Sequence, residues 1–100
     1  MDATKCATLI AAAEIGSFTA GARQLGYTQS GITRMVASLE SELGFALCIH
    51  TKQGVALTEN GRRMLLHLRE IVRAERVIEE SGTEIRGVVS GTLTVGSYYN

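Results

Sequence analysis

The sequence contains no proline and no tryptophan, and only five of its 100 residues are aromatic. Because proline breaks helix interiors, its absence permits long uninterrupted helices. Helix-forming residues are dense through most of the chain, so the composition favours a mainly α-helical fold. Hydrophobic residues make up 45% of the chain, and with so few aromatics the core must be built from Leu, Ile, Val and Ala. One hundred residues suit one small domain, or a domain with an extension.

The sequence also has no net charge, so total charge gives no indication of a polyanionic partner. The distribution of charge is uneven, however. Residues 21–39 contain two arginines and no acidic residue, whereas residues 75–84 contain four glutamates and one arginine. A weak basic patch of this kind is consistent with DNA contact but does not establish it.

There are only two cysteines, Cys6 and Cys48, and both occupy positions that otherwise read as apolar. No His or Cys stands at ligand spacing, which argues against a metal site, and a disulfide requires the fold to bring the two thiols together. Two reduced core thiols are the favoured interpretation. No segment approaches the ~18 consecutive apolar residues of a membrane span. Since no signal-peptide pattern is visible either, we expect a cytoplasmic protein without a membrane partner.

The central feature of the sequence is an amphipathic segment from Thr28 to Leu43, with Thr28 as a predicted N-cap and Gly44 as a stop. Its apolar face has the helical spacing i, i+4, i+7, i+11 and consists of Ile32, Val36, Leu39 and Leu43. Its other face is short and polar, carries one guanidinium, and consists of Ser30, Thr33, Arg34 and Ala37. Taken alone, such a segment is either a DNA-reading helix or a plain solvated helix.

Two helices are predicted ahead of this segment. The first spans Ala3 to Ile15 and is ended by Gly16, and the second spans residues 18–25 and is capped by Ser17. Their inner faces are predicted to be Cys6, Leu9, Ile10 and Ala13 in the first helix, and Phe18, Ala22 and Leu25 in the second. Two helices joined by a three- to four-residue turn containing glycine are typical of a helix-turn-helix.

After Gly44 the pattern changes to the period-two alternation of short strands. The alternating residues are Phe45, Leu47 and Ile49 before a turn at 52–54, and Val55 and Leu57 after it. We therefore expect a small β-hairpin, which makes the unit a winged helix-turn-helix. His50, Lys52 and Gln53 would lie at the hairpin tip, within reach of a phosphate or a minor groove. An ordinary exposed turn is the alternative.

The last predicted helix begins after Thr58, whose hydroxyl can cap it, and runs over residues 59–80 or as far as 86. Gly82 and Gly87 are expected to interrupt it. Its apolar stripe recurs every seven residues and is widened by Leu68, Val72 and Ala74. The residues assigned to dimerisation are Met64, Leu68, Ile71, Ile78 and Ile85. Because a helix of roughly 33 Å is too long for a small monomer to bury, the stripe favours dimerisation over packing within the monomer.

Several motifs now occur in an order that resembles the N-terminal DNA-binding domain of LysR-type transcriptional regulators. In chain order they are Gly16-Ser17-Phe18-Thr19-Ala20-Gly21-Ala22-Arg23-Gln24-Leu25, Gln29-Ser30-Gly31-Ile32-Thr33-Arg34, Leu39-Glu40-Ser41-Glu42-Leu43-Gly44 and Leu57-Thr58-Glu59-Asn60-Gly61. The resemblance covers about residues 1–87. The strand-like residues 91–96 are similar to the first strand of that family's effector-binding domain.

The resemblance implies a winged helix-turn-helix that dimerises through the linker helix and places its recognition helices in successive major grooves. The residues that match the family's DNA-contacting positions are Ser17, Gln29, Ser30, Thr33, Arg34, Lys52 and Thr58. Among these, Ser17 matches a position near phosphate, Lys52 the basic position of the wing, and Thr58 the start of the linker helix. Chemically, Gln29 can pair with adenine or bind a phosphate, Arg34 can contact guanine or phosphate, and Thr33 can touch a thymine methyl.

The chain departs from the family's pattern at the wing and in the recognition helix. Family members usually have Pro-Leu-Phe and then Arg in the first wing strand, where Ala46-Leu47-Cys48 and His50 stand here. The missing arginine weakens the expected wing contact to phosphate. Gly31 stands where Ala or Pro is common, which loosens the first turn of the recognition helix. Members of the family are also about three times longer.

The predicted fold is therefore mainly α, with a winged helix-turn-helix at 1–58, a linker and dimerisation helix at 59–87, and at 88–100 the stub of a missing effector-binding domain. The predicted function is sequence-specific binding of double-stranded DNA as a homodimer, with a tetramer expected if the full-length architecture is present. The alternative is a winged-helix protein-interaction module that dimerises without specific DNA binding. No catalytic or cofactor motif is visible, and no small-molecule effector site is expected within these residues.

Overall fold

The computed structural model describes residues 1–92, and the side chains of residues 1–87. Its elements are, in order, α1 (Ala3–Ile15), α2 (Phe18–Leu25), α3 (Gln29–Leu43), β1 (Cys48–Thr51), β2 (Gly54–Leu57) and α4 (Glu59–Thr92). This order confirms the predicted winged helix-turn-helix followed by a long helix. Of the predicted strand at the C-terminus, residues 93–96 lie outside the described residues.

The first three helices have the bounds that their capping residues predict. Ser17 Oγ accepts the backbone N–H of Ala20 at 3.1 Å, and Thr28 Oγ1 accepts that of Gly31 at 3.0 Å. At the other ends, Gly16, Gly26 and Gly44 close α1, α2 and α3 in the left-handed conformation. These caps satisfy backbone groups that have no partner within the helix. Each helix therefore begins and ends at its capping residues.

The core lies where α1, α2 and α3 meet the wing and the start of α4. Its fully or nearly buried apolar residues are Cys6, Leu9, Ala12, Phe18, Ala22, Ile32, Val36, Leu39, Leu47, Val55 and Leu68. The predicted apolar faces are confirmed apart from their margins. Ile10 and Ala13 are only half-buried. Leu25 is 39% exposed, because it is the last residue of α2 and lies where neighbouring helices no longer cover that face.

The wing is a two-stranded antiparallel hairpin in which Cys48 pairs with Leu57 and Thr51 with Gly54. It is fixed to the turn between α1 and α2, because Val55 N–H donates to the Gly16 carbonyl at 2.9 Å. Gly54 has φ +133°, and an added Cβ there would overlap the Gly16 carbonyl oxygen. Only glycine therefore permits this close approach.

The first wing strand begins at Cys48 rather than at the predicted Phe45. The reason is a tertiary hydrogen bond, since the Glu40 carboxylate accepts the backbone N–H groups of Leu47 at 2.7 Å and Cys48 at 3.2 Å. The segment before the strand is thus tied to α3 instead of pairing with β2. It buries Leu47 completely, and Ile49 on the strand is 49% exposed.

Helix α4 continues to Thr92, so the predicted interruption at Gly82 and Gly87 is wrong. Each glycine costs about 1 kcal/mol relative to alanine, but it keeps its N–H donor, and the hydrogen-bond ladder can pass through it. The helix is therefore roughly 51 Å long at ~1.5 Å per residue. The expected boundary at residue 87 falls inside it.

The predicted dimerisation seam is divided between two environments. Leu68 is 3% exposed and belongs to the core, while Met64 and Ile71 are half-buried against it. The assignment of Leu68 to a dimer seam needs correction, because the side chain is buried within the same chain, where α1 packs along the first turns of α4. Met64 and Ile71 keep part of their surface exposed, and their role in a dimer stays a prediction. Ile78 and Ile85 are 70% and 59% exposed, so of the predicted seam they are the most accessible to a partner.

Candidate nucleic-acid interface

The polar face in the first half of α3 is exposed, and no acidic side chain lines the groove on it. Gln29, Ser30, Thr33 and Arg34, with Ala37, line one shallow groove of about 550 Å³. The opposite face buries Ile32, Val36 and Leu39 in the core and fixes the orientation of the helix. The structure thus brings four of the sequence-predicted residues together on one surface, although their contact with DNA remains a prediction.

The N-terminus of α3 lies at one end of this surface. Thr28 caps the helix, and its Oγ1 lies 3.3 Å from Ser30 Oγ. The unpaired N–H groups of a helix N-terminus carry partial positive charge, which favours a nearby phosphate. Arg34 adds a full positive charge, and within the described residues its guanidinium forms no ion pair.

Ser17 is positioned for a phosphate contact while it also caps α2. Its oxygen accepts the Ala20 N–H at 3.1 Å, which leaves the hydroxyl hydrogen available as a donor. The side chain is half-buried at the α1–α2 turn. The same turn holds the wing through the Gly16 carbonyl, so Ser17 and the wing are fixed relative to each other.

Lys52 is exposed in the turn of the wing, as predicted, and the Oγ1 of Thr51 beside it accepts the backbone N–H of Gln53 at 3.2 Å. His50 is not at the hairpin tip. It lies within β1, and its ring meets Phe18 edge-on with the centroids 5.5 Å apart. The imidazole therefore helps to anchor the wing, and Lys52 is the cation at its tip.

Thr58 has a structural role within the fold, which its match to a DNA-contacting position at the start of the linker helix did not indicate. Its hydroxyl donates to the Ala46 carbonyl at 2.7 Å and accepts the Gly61 N–H at 2.8 Å. The single hydroxyl hydrogen is thus already donated within the protein. Thr58 joins the wing to the first turn of α4, as a helix cap would, and has no hydrogen left for a phosphate oxygen.

The two thiols are free, with Cys6 buried and Cys48 half-buried. Burial, together with the negative charge of Glu40, raises the pKa of Cys48 to about 11. Burial also raises the pKa of Cys6. Neutral thiols are poor nucleophiles and poor metal ligands. Within the described residues no group of three or more His, Cys, Asp or Glu could hold a metal ion, and no helix has the length and apolarity to cross a membrane.

Comparison with known proteins gives concordant matches. The sequence profile of the bacterial regulatory helix-turn-helix proteins of the lysR family matches residues 4–62. The nitrogen assimilation regulatory protein nac of Klebsiella aerogenes is 38% identical over 88 residues, which cover 84% of this chain and 29% of nac. The HTH-type transcriptional activator TtdR of Escherichia coli (strain K12) is 35% identical over 81 residues, which cover 81% of this chain and 26% of TtdR.

The fold also matches a solved structure, the CbnR_DBD-DNA complex, with a TM-score of 0.73 and 31% identity. That match covers 89% of this chain and 99% of the CbnR_DBD chain. By contrast, the chain spans about a third of the length of the curated relatives it matches. Because the family profile covers more than half of the sequence, the chain belongs to the lysR family of bacterial regulatory helix-turn-helix proteins.

Proposed function

We propose that this chain is the DNA-binding portion of a transcription regulator that reads double-stranded DNA through α3. The observation that carries the proposal is the exposed, acid-free face of Gln29, Ser30, Thr33 and Arg34 on a helix whose other face is locked in the core. The likeness to a CbnR_DBD-DNA complex over nearly all of that chain supports it. A helix presented in this way fits the major groove of B-DNA.

The side chains on this face suit different parts of the groove. Arg34 can donate two hydrogen bonds to guanine, Gln29 can pair with adenine, and the Thr33 methyl can contact a thymine methyl. Ser17 and Lys52 are separate from the groove-facing set and suit phosphate oxygens, which position the protein without reading sequence. Specificity would then come from α3, and the register on the duplex from the α1–α2 turn and the wing.

The chain is proposed to act as a homodimer, because one recognition helix contacts only a few base pairs. The exposed apolar side chains of α4 supply a candidate interface. Leu66, Val77, Ile78 and Ile85 are exposed by 47–70%. Charged residues surround these apolar side chains, an arrangement that marks interaction sites.

The charge distribution of α4 supports an antiparallel pairing of the two helices. Residues 62–76 contain five arginines and two glutamates, whereas residues 77–87 contain three glutamates and one arginine. Antiparallel pairing sets the basic half of one helix against the acidic half of the other, and parallel pairing sets like charges together. A register that pairs Leu66 with Ile85 of a second copy places the two-fold axis between Glu75 and Arg76.

The proposed division of labour follows from these surfaces. Residues 1–58 bind DNA, and α4 links and pairs the protomers. The residues that follow α4 begin an effector-binding domain, as the family resemblance implies. Association into tetramers would require that further domain. A bacterial regulator that binds chromosomal DNA acts in the cytoplasm, which we take as its location.

The proposal is tested by selecting bound duplexes from a random-sequence pool and then measuring affinity against salt. The expected result is a preferred sequence, and an affinity that falls steeply between 50 and 200 mM salt through release of counterions. Salt-sensitive binding without any preferred sequence would contradict a specific regulator. Binding that does not respond to salt would exclude phosphate contacts and would favour a protein-interaction module.

A further inference from the structure

A second groove borders the recognition face and joins α3 to α1. It has a volume of about 450 Å³ and is lined by Lys5, Gly31, Arg34, Met35 and Ser38. Arg34 lines this groove and the recognition groove alike. The two clefts are therefore neighbours with one guanidinium between them, and a DNA strand that borders the recognition face would pass close to the second groove.

The position of Lys5 in this groove is fixed by a contact between helices. Its Nζ donates to Ser38 Oγ at 2.8 Å, across 33 residues of sequence, and its side chain is half-buried. An ammonium group has three donors. One is directed at Ser38, and the others remain for an acceptor in the groove. The hydrogen bond thus holds the ammonium group beside Ser38, in the groove that Arg34 also lines.

The groove is electropositive without internal compensation. Lys5 and Arg34 are its only charged lining residues, and neither forms an ion pair within the described part of the chain. Two like charges that line one cleft repel each other. An anion between them would remove that repulsion.

The local structure of α1 does not require a lysine at this position. Lys5 lies in the first turn of α1, where its N–H is accepted by the capping Asp2 at 3.2 Å. A cation is unfavourable near the positive end of a helix dipole, and Glu or Gln is the usual residue at this place in a capping box. Residues that oppose a local preference concentrate at functional sites.

We propose that Lys5 is a further DNA-binding residue, which binds one backbone phosphate beside Arg34 at the edge of the groove read by α3. This inference rests on the proposed DNA-binding function and extends it to α1. Because phosphate is present in every sequence, Lys5 adds affinity and fixes the register of α3 without adding preference.

The test compares the wild-type chain with Lys5→Gln on the selected duplex and on a random-sequence duplex, between 50 and 200 mM salt. Loss of one phosphate contact per protomer should make the plot of log affinity against log salt shallower by about 0.9, or about 1.8 for a dimer. For a dimer, raising the salt concentration fourfold should therefore reduce the affinity of the wild type about 12-fold more than that of the variant. The ratio of affinities for the two duplexes should stay the same.

Two matched variants separate charge from the contact between helices. Ser38→Ala removes the hydrogen bond but keeps the ammonium group, and Lys5→Arg keeps a cation, so both should retain a slope near the wild-type value. A wild-type slope in Lys5→Gln would overturn the inference, as would an equal change of slope in Ser38→Ala. Failure of the wild type to bind either duplex would instead overturn the proposed function itself.

Discussion

Among single residues, Arg34 is the one whose substitution should change the preference for a DNA sequence. It is exposed, it lies on the polar face of α3, and no acidic residue lines the two grooves beside it. If it contacts a base, Arg34→Ala should weaken binding by about 1–3 kcal/mol and relax the preference at that base pair. Competition by duplexes altered one base pair at a time would measure this.

A matched control for that experiment is Arg86→Gln, which removes an exposed arginine on the distal part of α4. It should leave the preference unchanged. If Arg34→Ala weakens binding to every duplex equally, the guanidinium contacts phosphate alone, and the assignment of base reading to Arg34 is wrong.

Gly61 shows how one backbone contact positions the wing on α4. An added Cβ would overlap the carbonyl oxygen of Leu47, and that carbonyl accepts the Thr58 N–H at 2.9 Å. Gly61→Ala should therefore lower the free energy of unfolding by about 1–3 kcal/mol, as overpacked sites do. Urea denaturation measures the change. Gly87→Ala is the control, since nothing lies within 4 Å of the added Cβ, and an equal loss in both variants would contradict this account.

Among the elements, α4 has two functions along its length, and paired substitutions separate them. Leu68 is 3% exposed in the core, whereas Ile78 is 70% exposed. Leu68→Ala should destabilise the fold by about 2–5 kcal/mol, as cavities in cores do. Ile78→Ala should leave the fold of a protomer intact and weaken self-association. Urea denaturation and sedimentation equilibrium distinguish the two results, and a monomer–dimer constant unchanged in Ile78→Ala would contradict the proposed seam.

The bounds of α1, α2 and α3 could be predicted because the signals are local. Ser17 and Thr28 cap the helices that follow them by accepting N–H groups three residues away, and Gly16 and Gly44 end α1 and α3. The burial of Leu68 could not be predicted in the same way. An apolar residue at every seventh position shows that one face of α4 is apolar but does not show what covers it. Here α1 covers it, and the Arg69–Glu14 ion pair between the two helices joins residues 55 positions apart.

The candidate site likewise has local features that the sequence predicts and tertiary contacts that it does not. The face of Gln29, Thr33 and Arg34 could be predicted, because residues three or four apart share one side of a helix. The contact of Lys5 with Ser38 depends on how α1 crosses α3, which sequence spacing does not encode. Sequence spacing also does not show that the Thr58 hydroxyl donates its hydrogen to the Ala46 carbonyl within the fold.

For the whole molecule, the orientation of the proposed dimer has a direct test by cysteine cross-linking. In the antiparallel register, Ala74→Cys lies near the two-fold axis and should form a disulfide between protomers on oxidation. Ile85→Cys should not, because its counterpart would be roughly 28 Å away along the helices. Electrophoresis without reductant, with the wild type as the control for Cys6 and Cys48, measures both. Cross-linking at both positions would indicate parallel pairing.

The central claim is that α3 reads DNA as one of a pair, and footprinting of the selected duplex tests it most directly. Two recognition helices related by a two-fold axis should protect two half-sites of dyad-symmetric sequence. The half-site centres should be about 10 base pairs apart or a multiple of that spacing, on one face of the duplex. A single protected segment without dyad symmetry, or protection that follows no sequence, would contradict the claim.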